Sequence, residues 1–305
     1  MGVRRTSDSK TGVRVTECET WDDFISELRI GEGRFHSYVY RGHGGADWQL
    51  SSVFERWLFG MKGGNPDRNV RELFSEGALE KFRTLYLEPF RHWAQRLYGV
   101  QLPQKEQLNT WLALGRHHEL ITPLLDWTRS PYIAAFFATI DAFRVAADEH
   151  RLFIAQKHGV EAAKKDAVTF EARVMGVRGG RIFPSKPFAI WALACHRDVF
   201  VDNEFTLIDE HEFRNTRLHA QQGLFTYLTH DVHVDVESYL TSRGLGNRLE
   251  KFLIRGQEAH KALHDLNLMG INDAAMYPDL GGAARQANMS NFWIGAKTAR
   301  GKSEK

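Results

Sequence analysis

Residues 116–143 read RHHELITPLLDWTRSPYIAAFFATIDAF, and this stretch decides the fold. Charged and imidazole groups at 116–119 are followed by an apolar run and then by Asp126. A serine and a proline next open an apolar helix, since proline is tolerated in a first helical turn. This order predicts that Asp126, Thr128 and Ser130 lie near the N-terminus of a buried helix, where backbone N–H groups attract anions such as a pyrophosphate.

A structural interpretation of the same residues stays open. Thr128 or Ser130 could simply cap the helix, because hydroxyl side chains accept hydrogen bonds from the first helical N–H groups. Asp126 could close a turn.

Upstream of this stretch, an alternating segment from Ser37 to Tyr40 is typical of a strand and runs directly into Arg41-Gly42-His43-Gly-Gly. We therefore expect a strand that delivers a charged residue to a glycine loop. The loop resembles a phosphate-binding loop but lacks the helix signature that follows one, so a tight turn is the alternative.

Helical patterns concentrate in the first half of the chain. Apolar residues recur at three- and four-residue steps over 70–98, and Pro89 interrupts this run, which predicts two helices or a kink. A further helix is predicted over 104–119, and the helix that follows Ser130 covers at least IAAFFATIDAF. Short β-type runs follow at 152–155, 168–174, 188–193, 225–227 and 251–254, before a helix over 257–268.

Regular alternation of strands and helices is absent, which argues against a doubly wound sheet. We predict an α+β fold in which a mixed or split antiparallel sheet carries a helical subdomain in the first half. One domain is expected over 15–296, with a helical insertion at about 66–120. Residues 1–14 and 297–305 are rich in small and cationic residues and are expected to be flexible tails.

Composition excludes several classes of protein. The 305 residues carry 40 Lys and Arg against 38 Asp and Glu, and 43% are hydrophobic, as in a globular protein with a filled core. Two cysteines, Cys18 and Cys195, are too few for a disulfide framework. The sequence shows no secretory signal and no apolar run long enough for a membrane span, so we expect a cytoplasmic protein.

Histidine pairs and arginines leave further interpretations open. His260 and His264 would share a helix face, and His230 and His233 flank a turn, but neither pair has a third ligand nearby, so no metal is expected. Arginines interleaved with aromatic residues could form a basic groove for DNA or RNA, or a solvated surface. These arginines are Arg173, Arg178, Arg181, Arg197, Arg214, Arg217, Arg243, Arg248 and Arg255.

Several blocks together resemble the FRG domain family, which is named for an aromatic-Arg-Gly sequence near its start. They are Tyr40-Arg41-Gly42, Trp48-Gln49-Leu50, Ala113 to Ala138, Arg217 to Phe225, and Gly270 to Gly281. The family's second block has roughly the form Q-H-x-G-x-P-T-R-L-L-D-W-T-x-S-P. Where it reads Gln-His, Gly and Thr-Arg, this chain has Arg116-His117-His118, Glu119-Leu120 and Thr122-Pro123.

The layout also resembles that of ADP-ribosyltransferases, which bind NAD in a split sheet. The resemblance implies that Arg41 binds phosphate, that Tyr40 or Trp127 stacks on nicotinamide, and that Gln221, Asp126 or Asp279 contacts ribose. It thereby implies four catalytic residues, Arg41, His118, Asp126 and Gln221. The implied NAD-binding residues are Tyr40, Arg41, Gly42, His43, Trp127, Thr128 and Ser130.

From this resemblance we expect an ADP-ribosyltransferase or NAD glycohydrolase that uses NAD as co-substrate and modifies a macromolecule, most plausibly nucleic acid, in a bacterial defence or toxin setting. The alternative function is a binding module for a nucleotide or nucleic acid that performs no reaction. The alternative role for Arg41 is an ion pair with Asp126 inside the fold, since a guanidinium and a carboxylate satisfy one another.

Overall fold

The computed structural model describes residues 2–30, 37–59, 77–97, 99, 101–158, 184–196, 198–200, 204–209, 216–229 and 235–289. The strand predicted over 168–174 and the tail predicted over 297–305 lie outside these residues, as do His230 and His233.

Eight strands form one mixed sheet, so the fold is α+β. They are β1 (Val3–Ser7), β2 (Arg14–Cys18), β3 (Tyr38–His43), β4 (Leu124–Thr128), β5 (Phe188–Ala194), β6 (Phe205–Ile208), β7 (Gly223–Leu228) and β8 (Leu249–Ile254). Their order is β1-β2-β8-β5-β3-β4-β7-β6. The pairing is antiparallel at each of these contacts except between β2 and β8, which run parallel.

Helices surround this sheet. They are α1 (Trp21–Ile30), α2 (Val53–Phe59), α3 (Ala78–Phe82), α4 (Glu88–Ala94), α5 (Leu108–His117), α6 (Pro131–His158), α7 (Thr216–Ala220), α8 (Val236–Ser242), α9 (Ala259–Leu268), α10 (Asp273–Met276) and α11 (residues 280–289). A π-helical turn, Arg83–Leu87, joins α3 to α4, and 3₁₀ turns occupy Gly246–Arg248 and Gly256–Glu258.

Three apolar clusters build the core. The first joins α1, α6 and α9 to one face of β5 and β8, through residues such as Phe24, Phe143 and Ile190. The second lies on the other face of β5, where Trp191 and Leu193 point because successive side chains of a strand alternate. The third packs α2, α3, α4 and α5 on β4 and β7.

Helix α6 lies directly against β3 because two glycines remove side chains from the contact. A Cβ atom at Gly42 would lie 1.9 Å from the carbonyl oxygen of Ala134, and one at Gly44 would lie 2.3 Å from the carbonyl carbon of Asp141. The glycine loop predicted after Arg41 is therefore wrong at Gly42 and His43, which belong to β3. The absence of side chains at these glycines lets α6 pack directly on the backbone.

Strands β3 and β4 pair at a single position, Tyr40 with Thr128. By contrast, β3 pairs with β5 over six positions and β4 pairs with β7 over five. The sheet is thus continuous through one bridge and opens on both sides of it. This opening positions the site described below.

Local sequence patterns predict some of these elements and mislead at others. The two helices or kink predicted at Pro89 are confirmed, since a π-helical turn separates α3 from α4 and ends at Leu87. The β-type run at 152–155 continues α6 instead, since an established helix extends more readily than a new strand starts. Residues 3–7, within the predicted N-terminal tail, form β1 and pair with β2.

Candidate nucleotide-binding cleft

A cavity of about 300 Å³ opens where β3 and β4 diverge. It takes residues from both strands, from α2, α5, α6 and α7, and from the segment after α10. Its lining comprises Tyr40, Arg41, Gly42, Arg56, Arg116, Asp126, Trp127, Thr128, Ala134, Phe137, Asp141, Arg144, Arg217, Gln221 and Tyr277.

Asp126 is the centre of an ion-pair cluster on β4. Arg116, at the end of α5, forms a bidentate ion pair with this carboxylate through one edge of its guanidinium. Nε donates to Oδ1 at 3.0 Å and Nη2 donates to Oδ2 at 2.8 Å. Arg41 Nη1 lies 3.6 Å from Asp126 Oδ2. Burial opposes ionisation, but Arg116, Arg41 and Arg56 outweigh it and hold the pKa of Asp126 below its usual value. The carboxylate is therefore a stable anion at neutral pH.

Arg41 also closes the gap in the sheet. Its Nη1 donates to the main-chain oxygen of Asp126 at 2.6 Å, where β3 offers no ladder partner. Its Nε donates to His43 Nε2 at 2.9 Å, which places the ring proton of this buried histidine on Nδ1. Burial lowers the pKa of Arg41 to about 10, an effect that Asp126 partly offsets. The guanidinium remains charged at neutral pH, and it ties the two strands together.

Positive charge exceeds negative charge in this cavity. Five arginines line it, namely Arg41, Arg56, Arg116, Arg144 and Arg217, against two carboxylates. Both carboxylates are already paired: Asp126 as above, and Asp141 with Arg144 at 2.9 Å. Burial lowers the pKa of Arg56, which donates to the carbonyl oxygen of Ser51. The cavity is consequently suited to an anion.

An aromatic wall completes the cavity. The Tyr277 ring lies between two guanidinium groups, those of Arg217 and Arg285, each 4.4 Å from the ring centroid. Phe137 from α6 meets Tyr277 edge-on at 6.4 Å between centroids. Both rings are partly exposed, and because the two guanidinium groups cover the Tyr277 ring, this ring offers its edge to a planar ligand.

The cavity continues in two directions. A compartment of about 260 Å³ shares Arg116, Asp126, Arg217 and Gln221 with it and adds His117, Glu119, Leu218, Gly223, Leu224 and Phe225. A second, of about 460 Å³, shares Arg41, Gly42, Arg56 and Asp141 with it and adds His43, Asp47, Trp48, Gln49 and Ser51. We call the three compartments together the cleft. Its arginines lie at the middle, with polar and aromatic groups at both ends.

The predicted stacking residues, Tyr40 and Trp127, line the cavity but expose little of their rings. Tyr40 is 1% exposed and Trp127 is 3% exposed, and both belong to the core. The Trp127 indole N–H donates to Thr226 Oγ1 at 2.9 Å. Because neighbours along a strand point to opposite faces, the Trp127 ring points away from the Asp126 carboxylate.

Thr128, Ser130 and Gln221 hold the frame of the cleft together. Thr128 Oγ1 donates to the main-chain oxygen of Gln221 at 2.7 Å and accepts the Ser130 N–H at 3.1 Å. Ser130 Oγ accepts the Ile133 N–H at 3.3 Å, which caps α6. The structural interpretation therefore describes Thr128 and Ser130, because Ser130 caps the Ile133 N–H and main-chain groups hold Thr128. Gln221 Nε2 donates to the carbonyl oxygen of Met276 at 3.0 Å, next to Tyr277.

His118 is exposed at the C-cap of α5 and is not among the residues that line the cleft. His117 lines the compartment with Arg116 instead. Counting back from Leu124-Leu125-Asp126 in the family pattern would have placed the family histidine at 117. Asp279, the other proposed ribose contact, accepts the Gly282 N–H at 2.7 Å and caps α11.

Sequence reasoning missed part of the site. Arg116 belongs to the helix predicted over 104–119, and Arg144 directly follows the apolar helical segment that ends at Phe143. Only the fold brings both arginines to one cavity. Arg217 and Tyr277 lie in blocks noted for resemblance alone, and Phe137 lies in the apolar helix. Four of these residues share one signal in the sequence: Arg116, Phe137, Arg217 and Tyr277 fall in the blocks that resemble the FRG family, as Arg41 and Asp126 do. Arg144 lies outside those blocks.

The basic groove expected in the second half lies mostly outside the described residues, which exclude Arg173, Arg178, Arg181, Arg197 and Arg214. Three of the arginines named for it pair with carboxylates: Arg243 with Glu204, Arg248 with Asp198, and Arg255 with Glu19 at 2.9 Å. Only Arg217 of that set reaches the cleft among the residues described.

The described ranges contain no group of three His, Cys, Asp or Glu side chains placed to hold a metal. The His260 ring packs against Phe143 at 4.6 Å between centroids, while His264 lies beside Asp265. None of the helices in these ranges combines the length and apolar character needed to cross a bilayer.

Comparison with known proteins finds one family model. The model of the FRG domain matches residues 36–147, the segment that runs from β3 into α6. The matched segment supplies Arg41, Arg56, Arg116, Asp126 and Arg144 to the cleft. No curated protein and no solved structure matches the chain.

Proposed function

We propose that the cleft binds a nucleotide that contains a pyrophosphate, with NAD as the expected ligand. The observation that carries this proposal is the excess of guanidinium groups around the middle compartment, where both lining carboxylates are paired within the protein. Guanidinium forks match the oxygens of phosphate groups and form short, charge-assisted hydrogen bonds with them. A phosphate-bearing ligand would therefore offset the surplus positive charge.

The ends of the cleft favour a nucleotide over a simple phosphate. Cavities of roughly 300–1,000 Å³ lined by aromatic groups and a few polar groups are typical of small-molecule sites. Tyr277 and Phe137 offer partly exposed rings to a base. Asp47 at one end and Glu119 at the other offer exposed carboxylates, which accept hydrogen bonds from ribose hydroxyl groups.

The reaction expected from the resemblance, ADP-ribosyl transfer or NAD hydrolysis, is the second part of the proposal. Cleavage of the nicotinamide–ribose bond develops positive charge on the sugar, so it needs a nearby carboxylate that is not already paired. Asp126 and Asp141 do not meet this requirement, and the exposed carboxylates of Asp47 and Glu119 lie at the two ends of the cleft. The arginines at the middle therefore support nucleotide binding more directly than turnover, and turnover is a separate measurement.

A nucleic-acid acceptor in a defence or toxin setting is the least supported part. The arginines that would hold the polymer are paired wherever they are described outside the cleft. Nucleic acid thus enters the test as one of the acceptors.

The test is titration calorimetry with NAD, ADP-ribose and nicotinamide riboside, which lacks the pyrophosphate. We expect NAD and ADP-ribose to bind and nicotinamide riboside to bind far more weakly. Arg217→Ala should weaken NAD binding about 10- to 100-fold, the usual effect of losing hydrogen bonds to a charged group. Arg285→Ala is the control, because Arg285 stacks on the same tyrosine ring but does not line the cleft. Since Arg285 also pairs with Asp273 at 3.1 Å, the thermal midpoint of both variants is recorded with the affinities.

Failure of the wild-type protein to bind either pyrophosphate ligand at millimolar concentration would refute the proposal. So would equal losses in the two arginine variants. Chromatographic loss of NAD, with a mass gain on DNA, RNA or protein, would identify an ADP-ribosyltransferase. NAD loss without an acceptor would identify a glycohydrolase, and binding without loss would identify a binding module.

A further inference from the structure

Glu119 holds a backbone conformation that favours glycine. Its φ is 65°, and Gln222, at 47°, is the other non-glycine residue with positive φ among the described residues. Helix α5 ends there in a Schellman motif, in which Leu120 N–H donates to Gly115 O at 2.9 Å and Glu119 N–H donates to Arg116 O at 3.3 Å. Glycine is the usual residue at this position, since a side chain in the left-handed region costs free energy. The related FRG pattern has glycine here.

The side chain of Glu119 is an exposed carboxylate in the compartment that also contains Arg116, Arg217 and Gln221. The other carboxylate of this compartment, Asp126, has an arginine partner, whereas Glu119 forms no ion pair within the described part of the chain. Burial lowers the pKa of Arg116, but Asp126 and, after it, Glu119 raise it above its ordinary value. Glu119 therefore adds negative charge beside an arginine whose hydrogen bonds go to Asp126.

Two independent observations therefore meet at one residue. Glu119 holds a conformation that glycine would relax, and strain of this kind is concentrated at sites of function. Its side chain is a carboxylate without an ion-pair partner among the described residues, in a cleft whose arginines suit a phosphate.

We propose that Glu119 is a ligand-contacting carboxylate, which accepts hydrogen bonds from the ribose hydroxyl groups of the nucleotide whose pyrophosphate lies on the arginines. This inference rests on the proposed function and assigns one ribose of the ligand to the compartment lined by His117 and Phe225. An ionised carboxylate has two acceptor oxygens and no donor, which matches the two donors of a vicinal diol. Glutamate supplies these acceptors, and glycine at this position would not.

Three variants test the inference. Glu119→Gln keeps the size of the side chain and removes its charge. Glu119→Gly removes the side chain and relaxes the backbone, so this variant will fold. Gln222→Gly is the matched control, because it relaxes the other positive-φ residue, which is exposed and does not line the cleft.

We measure the affinity of each variant for NAD and for inorganic pyrophosphate, together with the thermal midpoint. Both Glu119 variants should bind NAD about tenfold more weakly and should bind pyrophosphate, which has no ribose, as the wild type does. Glu119→Gly and Gln222→Gly should both melt roughly 1–3 °C higher, since the strain is relieved, but Gln222→Gly should keep its NAD affinity.

The outcomes separate the two proposals. If the wild type binds NAD and both Glu119 variants bind it equally well, the role of Glu119 is refuted while the nucleotide site stands. If pyrophosphate affinity falls in parallel with NAD affinity, Glu119 acts on the arginines and not on ribose, and the inference is again refuted. If the wild type binds neither ligand, the proposed function fails and this inference fails with it.

Discussion

Replacing Asp126 with asparagine should make the protein less stable and its phosphate affinity higher. The carboxylate accepts hydrogen bonds from Arg116 and lies 3.6 Å from Arg41 Nη1. In the folded protein it therefore competes with a ligand phosphate for the same donors. Asparagine keeps the shape and one acceptor oxygen but removes the negative charge.

The size of the stability loss follows from the hydrogen bonds that Asp126 accepts. Hydrogen bonds to charged groups contribute roughly 1.5–3 kcal/mol. The side chain of Asp126 is 39% exposed, so solvent screens part of this interaction. We expect Asp126→Asn to lower the free energy of unfolding by about 1–2 kcal/mol at pH 7.

The gain in affinity follows from Coulomb's law. A phosphate held by the same guanidinium groups would lie on the order of 6 Å from the carboxylate. At an effective dielectric constant of about 40, between the values for a protein surface and for water, two negative charges at that separation repel by about 1.4 kcal/mol. Removing the carboxylate should tighten binding of pyrophosphate about tenfold.

Calorimetric titration with inorganic pyrophosphate measures the affinity, and urea unfolding of the same preparations measures the stability. Stability should also lose part of its acid sensitivity. The pKa of Asp126 is lowered in the folded state, so the wild-type carboxylate stabilises the fold above about pH 4, its unfolded pKa, and this contribution disappears as the pH falls through the lower folded value. Asparagine has no such contribution to lose.

A fall in pyrophosphate affinity would refute this reasoning, because it would mean that the carboxylate helps to hold the ligand. Unchanged stability at pH 7 would refute the assignment of Asp126 as the partner that balances the arginines.

Two further predictions concern the frame of the site. Gly42→Ala places a Cβ atom 1.9 Å from a carbonyl oxygen of α6, where ordinary contact begins near 3.4 Å, so urea unfolding should show a loss of about 3 kcal/mol. Gly281→Ala, in the exposed helix α11, is its control: the new Cβ would lie 3.1 Å from a side-chain atom, Asp279 Oδ1, so stability should change by less than about 1 kcal/mol. Equal effects of the two substitutions would contradict the close packing assigned to Gly42. Burial raises the pKa of Glu55 to about 7, so the folded state keeps a proton that the unfolded chain loses near pH 4.5, and stability should fall as the pH rises from about 5 to 7. Glu55→Gln should remove that slope in unfolding curves recorded across this range, and a slope that persists would contradict it.

The parts of the fold that sequence could predict are those decided by local patterns. The apolar helix after Ser130, the strand that carries Arg41 and the buried strand at 188–193 all follow from periodicity and helix-start signals. Strand β4 does not follow from the sequence alone. A short apolar run fits a strand or a buried helix equally well until its partner strand β7 is known.

The candidate site likewise contains some residues that the sequence could predict and others that it could not. Arg41 and Asp126 stand out in sequence because each is a charged residue within an apolar segment. Arg217 and Tyr277 do not stand out, since each lies in a polar stretch, and only the packing of α7 and α10 brings them to β4. The family pattern has glycine where this chain has Glu119, but the positive φ of Glu119 is known only from the folded backbone.

The single bridge between β3 and β4 explains why the arginines of the cleft cannot be equivalent. An antiparallel pair that opens leaves main-chain groups without ladder partners, and a buried carbonyl must be satisfied by some other donor. Arg41 satisfies one of these carbonyl groups, and Arg116 balances the adjacent carboxylate, so removing either would loosen the sheet itself. Arg217 has no carboxylate partner among the described residues and rests on a tyrosine ring, so its charge is available to a ligand at little cost to the fold. Loss of binding in an Arg41 variant would therefore report on architecture, whereas loss in an Arg217 variant reports on recognition.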